Sequence, residues 1–125
     1  TKQALLLTQV QPGHFLMDAL MRQQKYDEVM KVGVRLEKVA RDALAEKDTP
    51  VGRFGLAGTL SRIGYAHGRQ KRLAEMIRAK REAGELFRKL AQEKWGVMAR
   101  RGRFVELYMM VNTALDAHDQ GVALP

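Results

Sequence analysis

The sequence predicts an all-α domain of four to six helices packed as antiparallel hairpins, one of which is a long, basic, amphipathic helix. Apolar residues recur at steps of three and four along most of the chain, which is the period of a half-buried helix. No alternation of apolar and polar residues persists long enough to indicate a strand. The length of 125 residues suits one domain, so residues 1–125 are predicted to form a single helical domain.

The first third of the chain predicts two helices. Pro12 and Gly13 form a break signal, because proline lacks the N–H of a continuing helix and glycine relaxes the backbone. The first helix is therefore predicted over residues 13–24, after a short opening segment. A second helix is predicted over residues 26–46, where the apolar spacing continues and acidic residues stand near the start.

Residues 51–58 contain three of the eleven glycines. Closely spaced glycines suggest a phosphate-binding loop, but the lysine and hydroxyl residue that end such a loop are missing and no predicted strand precedes the segment. We interpret these glycines as close helix packing or a flexible joint. A helix is predicted from near Leu56, with Gly68 as its stop.

The longest helix is predicted over residues 69–95, where one stripe is apolar and the basic residues lie away from it. Glutamates on this helix are placed to pair with its arginines, for example Glu82 with Arg78 and Glu85 with Arg81. A last helix is predicted over residues 104–118. Its neighbouring residues Tyr108, Met109 and Met110 make it apolar on more than one side, which predicts a protein interface.

The positive charge is concentrated in the middle of the chain. The segment from Arg53 to Arg103 carries fourteen Lys or Arg residues and four glutamates, a local net charge of +10 on a protein whose total is +8. The flanks hold the other eight basic and ten acidic residues and come to −2. Such polarity indicates an anionic partner without naming it.

Two groups of residues are the predicted anion or nucleic-acid contacts. Lys and Arg spaced over a rigid helix can meet successive phosphates, and guanidinium groups on a turn can bind one phosphate with two hydrogen bonds. The first group belongs to the long basic helix and the second to the turn after it. They are Arg69, Lys71, Arg72, Arg78, Arg81, Arg88 and Lys89, and then Arg100, Arg101 and Arg103.

The sequence offers no set of residues for catalysis or metal binding. His14, His67 and His118 are scattered with no pair at ligand spacing, and the absence of cysteine excludes disulfides and thiolate ligands. No serine or threonine stands in a nucleophile motif. We therefore predict a non-enzymatic protein without a cofactor or a metal.

Three segments share features with one another. Residues 24–29 and 102–107 look alike. Within residues 67–70, Gly68 lies 34 positions before Gly102. This spacing resembles the turn between the paired helices of tetratricopeptide-type repeats, whose period is about 34 residues. Leu60 stands where that period predicts an aromatic turn residue. The resemblance favours antiparallel helical hairpins and does not amount to membership of that family.

These observations predict a helical subunit of a larger assembly that docks through residues 53–103 on an anionic partner, with RNA in a ribonucleoprotein preferred. One alternative is a structural accessory subunit of a large protein or membrane complex, in which the arginines face acidic protein surfaces or lipid head groups. Another is a dimeric DNA-binding regulator. No apolar run is long enough to span a membrane. The expected location is an organelle matrix, after loss of a transit peptide, or a bacterial cytoplasm.

Overall fold

The computed structural model describes residues 1–92, which form four α-helices in chain order: α1 Lys2–Arg22, α2 Tyr26–Glu46, α3 Pro50–Arg69 and α4 Leu73–Leu90. Residues 1–92 contain no strand. The predicted all-α class and the packing as antiparallel hairpins are thus confirmed. The predicted helix over residues 104–118 lies outside the described residues.

Two turns of the same geometry join α1 to α2 and α3 to α4. Gln24 and Lys71 take positive φ angles of 59° and 62°. The N–H of Lys25 donates to a carbonyl five residues earlier, and the N–H of Arg72 does the same. The described hairpins thus repeat after 47 positions, from 24 to 71, which is longer than the tetratricopeptide period of about 34 residues. The similar segment at residues 102–107 lies outside the described part.

The repeat extends to the buried faces of the second helices. Every buried residue of α2 has a buried equivalent in α4, 47 positions later. The α2 set is Val29, Gly33, Leu36, Ala40 and Ala43, and its α4 counterparts are Met76, Lys80, Ala83, Phe87 and Leu90. A buried stripe of this width is what fixes a helix against its neighbours.

Helix α3 is the centre of the fold, since it packs against α1, α2 and α4. Its glycines permit this close packing: a Cβ on Gly58 would lie 2.8 Å from the His14 ring, and one on Gly64 would lie 3.1 Å from the Lys80 side chain. The helix begins at Pro50, where the Thr49 hydroxyl accepts from the Gly52 N–H at 3.0 Å. The predicted start near Leu56 was therefore wrong, because the cap at Thr49 outweighs the glycines.

The predicted break at Pro12 was also wrong. Helix α1 runs without interruption from Lys2 to Arg22 with Pro12 inside it. Pro12 lies on the exposed side, where the carbonyl that loses its helical partner can bond water. On the opposite side, Leu6, Val10 and Met17 are buried in the core and hold both halves of the helix in line.

The basic helix is shorter than predicted. Residues 69–95 were expected to form the longest helix, but α4 has 18 residues whereas α1 and α2 have 21. The first residues of the predicted helix, 70–72, form a turn instead, because Lys71 adopts a left-handed conformation that an α-helix does not contain. In residues 1–92, no helix combines the length and apolarity needed to cross a bilayer.

Candidate functional site

The two described hairpins differ sharply in charge. Residues 1–52 carry eight basic and seven acidic residues, a net charge of +1. Residues 53–92 carry ten basic and three acidic residues, a net charge of +7. Helices α3 and α4 therefore account for nearly all of the excess positive charge in the described part of the chain.

Three of these ten cations are not exposed and bond within the fold. The Arg62 guanidinium donates to both carboxylate oxygens of Asp18, at 2.9 and 3.2 Å, and to the Gly58 carbonyl at 3.0 Å. Lys80 is only 2 % exposed and its Nζ donates to the Ser61 carbonyl at 3.0 Å. Arg53 lies 3.0 Å from Asp48. Arg62 and Lys80 join neighbouring helices, and Arg53 binds the loop before α3, so none of the three is available to a partner.

The outer face of α4 presents cations to solvent. Arg78 and Arg81 are exposed and, with Ala74 and Ile77, line a shallow depression of about 340 Å³. Neither arginine forms an ion pair with another described residue. This face is the central part of the candidate site.

The glutamates of α4 pair differently from the prediction. Glu82 binds Arg41 of α2 at 2.8 Å and so does not neutralise Arg78. Glu85 pairs with Arg88 at 3.0 Å, which makes Arg88 a weaker candidate contact than the sequence suggested. Because Arg41 takes one carboxylate away from the arginines of α4, the charge that remains on the outer face is larger than the helix alone would predict.

The turns form a second part of the site, at one end of the bundle. The Arg69 Nε donates to the Tyr26 hydroxyl at 3.3 Å and the Gln70 amide to the Asp27 carboxylate at 2.8 Å. These two bonds hold the α3–α4 turn beside the α1–α2 turn. Arg69 is thus a positioning residue as well as a surface cation.

This end of the bundle has a net positive charge. Lys71 and Arg72 are exposed, and so are Arg22 and Lys25 of the first turn, which are equivalent to Arg69 and Arg72. Helices α2 and α4 begin here while α1 and α3 end here, so the opposed helix dipoles largely cancel and the charge comes from the side chains. Asp27, Glu28 and Glu75 oppose it in part. Arg22 and Lys25 were not among the predicted contacts, although the period of 47 residues matches them to Arg69 and Arg72.

The pKa of His67, at this end of the bundle, lies below its ordinary value. Burial lowers the pKa of His67, and the neighbouring Arg72 and Arg78 lower it further, against the opposite effect of Glu75. The Nδ1 atom of His67 is buried and has no hydrogen-bond partner. His67 is therefore neutral at pH 7 and adds no charge to the surface.

The remaining predicted contacts fall beyond the structure described. Arg100, Arg101 and Arg103 of the second patch lie outside the described residues, as do the predicted interface residues Tyr108, Met109 and Met110. Lys89, on the last turn of α4, is exposed. Within residues 1–92, no three His, Cys, Asp or Glu side chains lie close enough together to hold a metal ion.

A second exposed surface lies on α1, which does not contact α4. Four large apolar side chains of this helix are exposed: Leu5, Leu7, Phe15 and Leu16. Leu5, Phe15 and Leu16 share one side of the helix, and such a group often marks a surface for another protein. No family model, curated protein or solved structure matches the chain. The basic face and this apolar face are therefore the two features from which a function is inferred.

Proposed function

We propose that this protein is a non-enzymatic helical subunit of a larger assembly, which docks through the basic segment 53–103 on an anionic partner, preferably RNA in a ribonucleoprotein. The observation that carries the proposal is the set of exposed cations on the α3–α4 hairpin that form no ion pair with another described residue. They are Lys71, Arg72, Arg78, Arg81 and Lys89.

The fold supports binding through phosphates. From its N-cap Arg72 to Lys89, α4 extends over about 25 Å at the helical rise of 1.5 Å per residue, so its cations can reach several phosphates. Each phosphate neutralised releases condensed counterions, which gives affinity without reading a sequence. The buried anchor Lys80 fixes α4 on α3, so the face is ordered before it meets a partner.

The pattern of charge on α4 favours RNA over DNA. Glu75, Glu82 and Glu85 stand among the cations on the exposed side of this helix. Insertion of α4 into the major groove of DNA would bring those carboxylates close to the phosphates of both strands. A folded RNA presents phosphates at irregular places, where single arginines can bind and the carboxylates can remain in solvent.

The test is a fluorescence anisotropy titration of the whole chain against structured RNA, single-stranded RNA and duplex DNA at several salt concentrations. The variant changes Arg72, Arg78 and Arg81 together to Gln. Its matched control changes Lys31, Arg35 and Lys38 of α2 to Gln, which removes the same charge from the other hairpin. We expect the first variant to bind structured RNA more weakly and to lower the salt slope by about 2, as for three lost phosphate contacts.

Two results would contradict this function. Equal losses of RNA affinity in both triple variants would mean that net charge alone, and not the face of α4, determines binding. Negligible RNA binding near physiological salt would exclude RNA as the partner of this chain. Tighter binding to duplex DNA than to either RNA, with a two-fold protein stoichiometry, would favour the alternative of a dimeric DNA-binding regulator.

A structural accessory subunit of a protein complex is the second candidate, and the exposed apolar side chains of α1 favour it. In that function the arginines of α4 face acidic protein surfaces. Nuclease treatment of the native assembly, followed by sedimentation, separates the two candidates. An RNA-bound subunit leaves the assembly when the RNA is digested, whereas an accessory subunit stays with its protein partners.

A further inference from the structure

The depression on the outer face of α4 combines an apolar floor with a cationic rim. Ala74 and Ile77 form the floor, Arg78 and Arg81 form the rim, and the space that they line is about 340 Å³. Ile77 is half-buried, and the other three side chains are exposed. Steps of three, one and three place these residues on one side of α4 within about two turns. A ligand of the depression must therefore be apolar where it meets the floor and anionic where it meets the rim.

The carboxylates of α4 do not line this depression. Glu82 binds Arg41 of α2 at 2.8 Å, so it lies on the flank of α4 that faces α2. Glu75 stands seven positions earlier and therefore shares that flank. Glu85 is paired with Arg88 at 3.0 Å. Since the two arginines of the rim form no ion pair with another described residue, their charge is available to an anion.

We propose that the depression binds one unpaired nucleotide of an RNA, with the base against Ile77 and the phosphate on the arginines. This inference rests on the proposed binding of RNA and names the part of the RNA that the site takes. A phosphate alone does not suit the floor, because apolar side chains cannot replace the water that its oxygens lose. A base inside a duplex is stacked on its neighbours, whereas an unpaired base exposes both faces to guanidinium planes and apolar side chains.

An acidic peptide with an apolar side chain has the same two kinds of surface, but size and charge favour the nucleotide. The depression falls in the range of roughly 300–1,000 Å³ that small-ligand sites occupy, and one aliphatic side chain fills little of that space. The unpaired cations also continue beyond the depression, at Lys71 and Arg72 in the turn before α4. A ligand with a charge at every unit of its backbone matches such a row.

The chain contains only two isoleucines, which permits a direct test by methyl NMR of the whole chain. The δ1-methyl group of Ile77 reports on the depression. Ile63, which is 5 % exposed, is the internal control from the core. The RNAs are a fully paired duplex, the same duplex with one bulged adenosine, and the same bulge with an abasic site. We expect the bulged RNA alone to shift the Ile77 signal upfield, through the ring current of the base, and the Ile63 signal to stay in place.

Anisotropy titrations with the same three RNAs measure the affinity. We expect the bulged RNA to bind at least about fivefold more tightly than the other two, as stacking of one base predicts. This ratio should change little with salt, because the additional contact is made by an uncharged base. Ala74→Leu fills the depression without changing a charge, so it should remove the preference and preserve binding of the paired duplex. Ala45→Leu, exposed on α2, is the matched control and should keep the preference.

Three results would overturn the site while leaving the proposed function intact. They are RNA binding without preference for the bulge, an equal Ile77 shift with the abasic RNA, and a preference that survives Ala74→Leu. Loss of binding to all three RNAs would instead contradict the proposed function, and this inference with it. A peptide of alternating Glu and Leu that displaces the bulged RNA and shifts the Ile77 signal more strongly would assign the depression to an acidic protein.

Discussion

The Nε2 atom of His14 lies 2.7 Å from the hydroxyl oxygen of Thr59 and thereby joins α1 to α3. The Thr59 hydroxyl donates its own proton to the Gly55 carbonyl at 2.9 Å, so it accepts from His14, whose proton sits on Nε2. Burial and then the charge of Arg62 lower the pKa of His14 to about 4, against the opposite effect of Asp18. The imidazole is neutral at pH 7.

This contact predicts a loss of stability in mild acid. Unfolded His14 takes up a proton near its ordinary pKa of about 6.5, whereas folded His14 does so only near pH 4. Between these values the unfolded state binds more protons, so each step down in pH favours unfolding. We expect a loss of about 3 kcal/mol at most across this window, measured by urea unfolding at a series of pH values.

The control for the pH effect is His14→Gln, which should flatten the dependence of stability on pH. Burial also lowers the pKa of His67, so His67 likewise makes the protein less stable as the pH falls. His67→Gln should therefore remove only the part of the pH dependence that His14→Gln leaves. If His14→Gln and the native protein lose equal stability on acidification, the assignment to His14 is wrong.

A second prediction concerns the hydrogen bond from His14 to the Thr59 hydroxyl. Thr59 is fully buried, so Thr59→Val keeps the shape of the side chain but leaves the His14 N–H without an acceptor. We expect a loss of about 1–3 kcal/mol in the free energy of unfolding, measured in urea. Thr59→Ser keeps the hydroxyl and removes one methyl group, so it should cost clearly less. Equal losses for Val and Ser would show that packing, and not the hydrogen bond, stabilises this contact.

How far the sequence predicted the fold depended on the local signals. Helix α2 has a strong apolar period without proline, and its predicted range of 26–46 is the observed one. In α1 the local signal at Pro12 was outweighed by burial of Val10 and Met17, which lie on either side of it. Such tertiary contacts join residues far apart in sequence, and a reading of one segment at a time does not contain them.

The packing of α1 gives a third prediction. A Cβ on Gly13 would fall within 3 Å of the Leu36 side chain, which is fully buried and has little room to move. We expect Gly13→Ala to destabilise the fold by about 1–2 kcal/mol, because strain in the core exceeds the gain in helix propensity. The matched control is Gly84→Ala, since a Cβ there meets no described atom within 4 Å. Thermal unfolding should show that this variant is more stable by up to about 1 kcal/mol.

The candidate site was predictable as a charge excess but not as a surface. Counting treated Lys80 and Arg62 as equal to Arg78 and Arg81, although the fold buries Lys80 and binds Arg62 to Asp18. Lys80 occupies the place of Gly33 in the repeat, so its burial follows from its position on the helix and not from its type. Long-range pairs of this kind decide which cations are free, and they are absent from a linear charge pattern.

The pair of Arg62 and Asp18 supports a fourth prediction. Two parallel hydrogen bonds to a carboxylate are stronger than one and fix the angle between the groups. We expect a double-mutant cycle with Asp18→Asn and Arg62→Gln to give a coupling of about 1–2 kcal/mol, measured by urea unfolding. The pair of Lys38 and Asp42 is the control, because both groups are exposed on α2 and should couple much more weakly. Similar coupling energies for the two pairs would show that partial burial does not strengthen the pair of Arg62 and Asp18.

The last prediction concerns Glu75, which rests on the proposed binding of RNA. Glu75 is exposed in the first turn of α4 and stands among Lys71, Arg72 and Arg78 without an ion pair to another described residue. Its carboxylate repels phosphates that approach those cations, so Glu75→Gln should tighten RNA binding by up to about fivefold at low salt, and by less at high salt.

Glu46→Gln is the matched control for charge, because Glu46 ends α2 and belongs to the nearly neutral hairpin. The loss of the first-turn carboxylate should cost α4 about 0.3–1 kcal/mol through the helix dipole, so stability and affinity should move in opposite directions. A structural effect alone would weaken binding and stability together. Unchanged RNA affinity in Glu75→Gln, with native binding of Glu46→Gln, would place the RNA contact away from the start of α4, because a carboxylate within the contact must affect it through its charge.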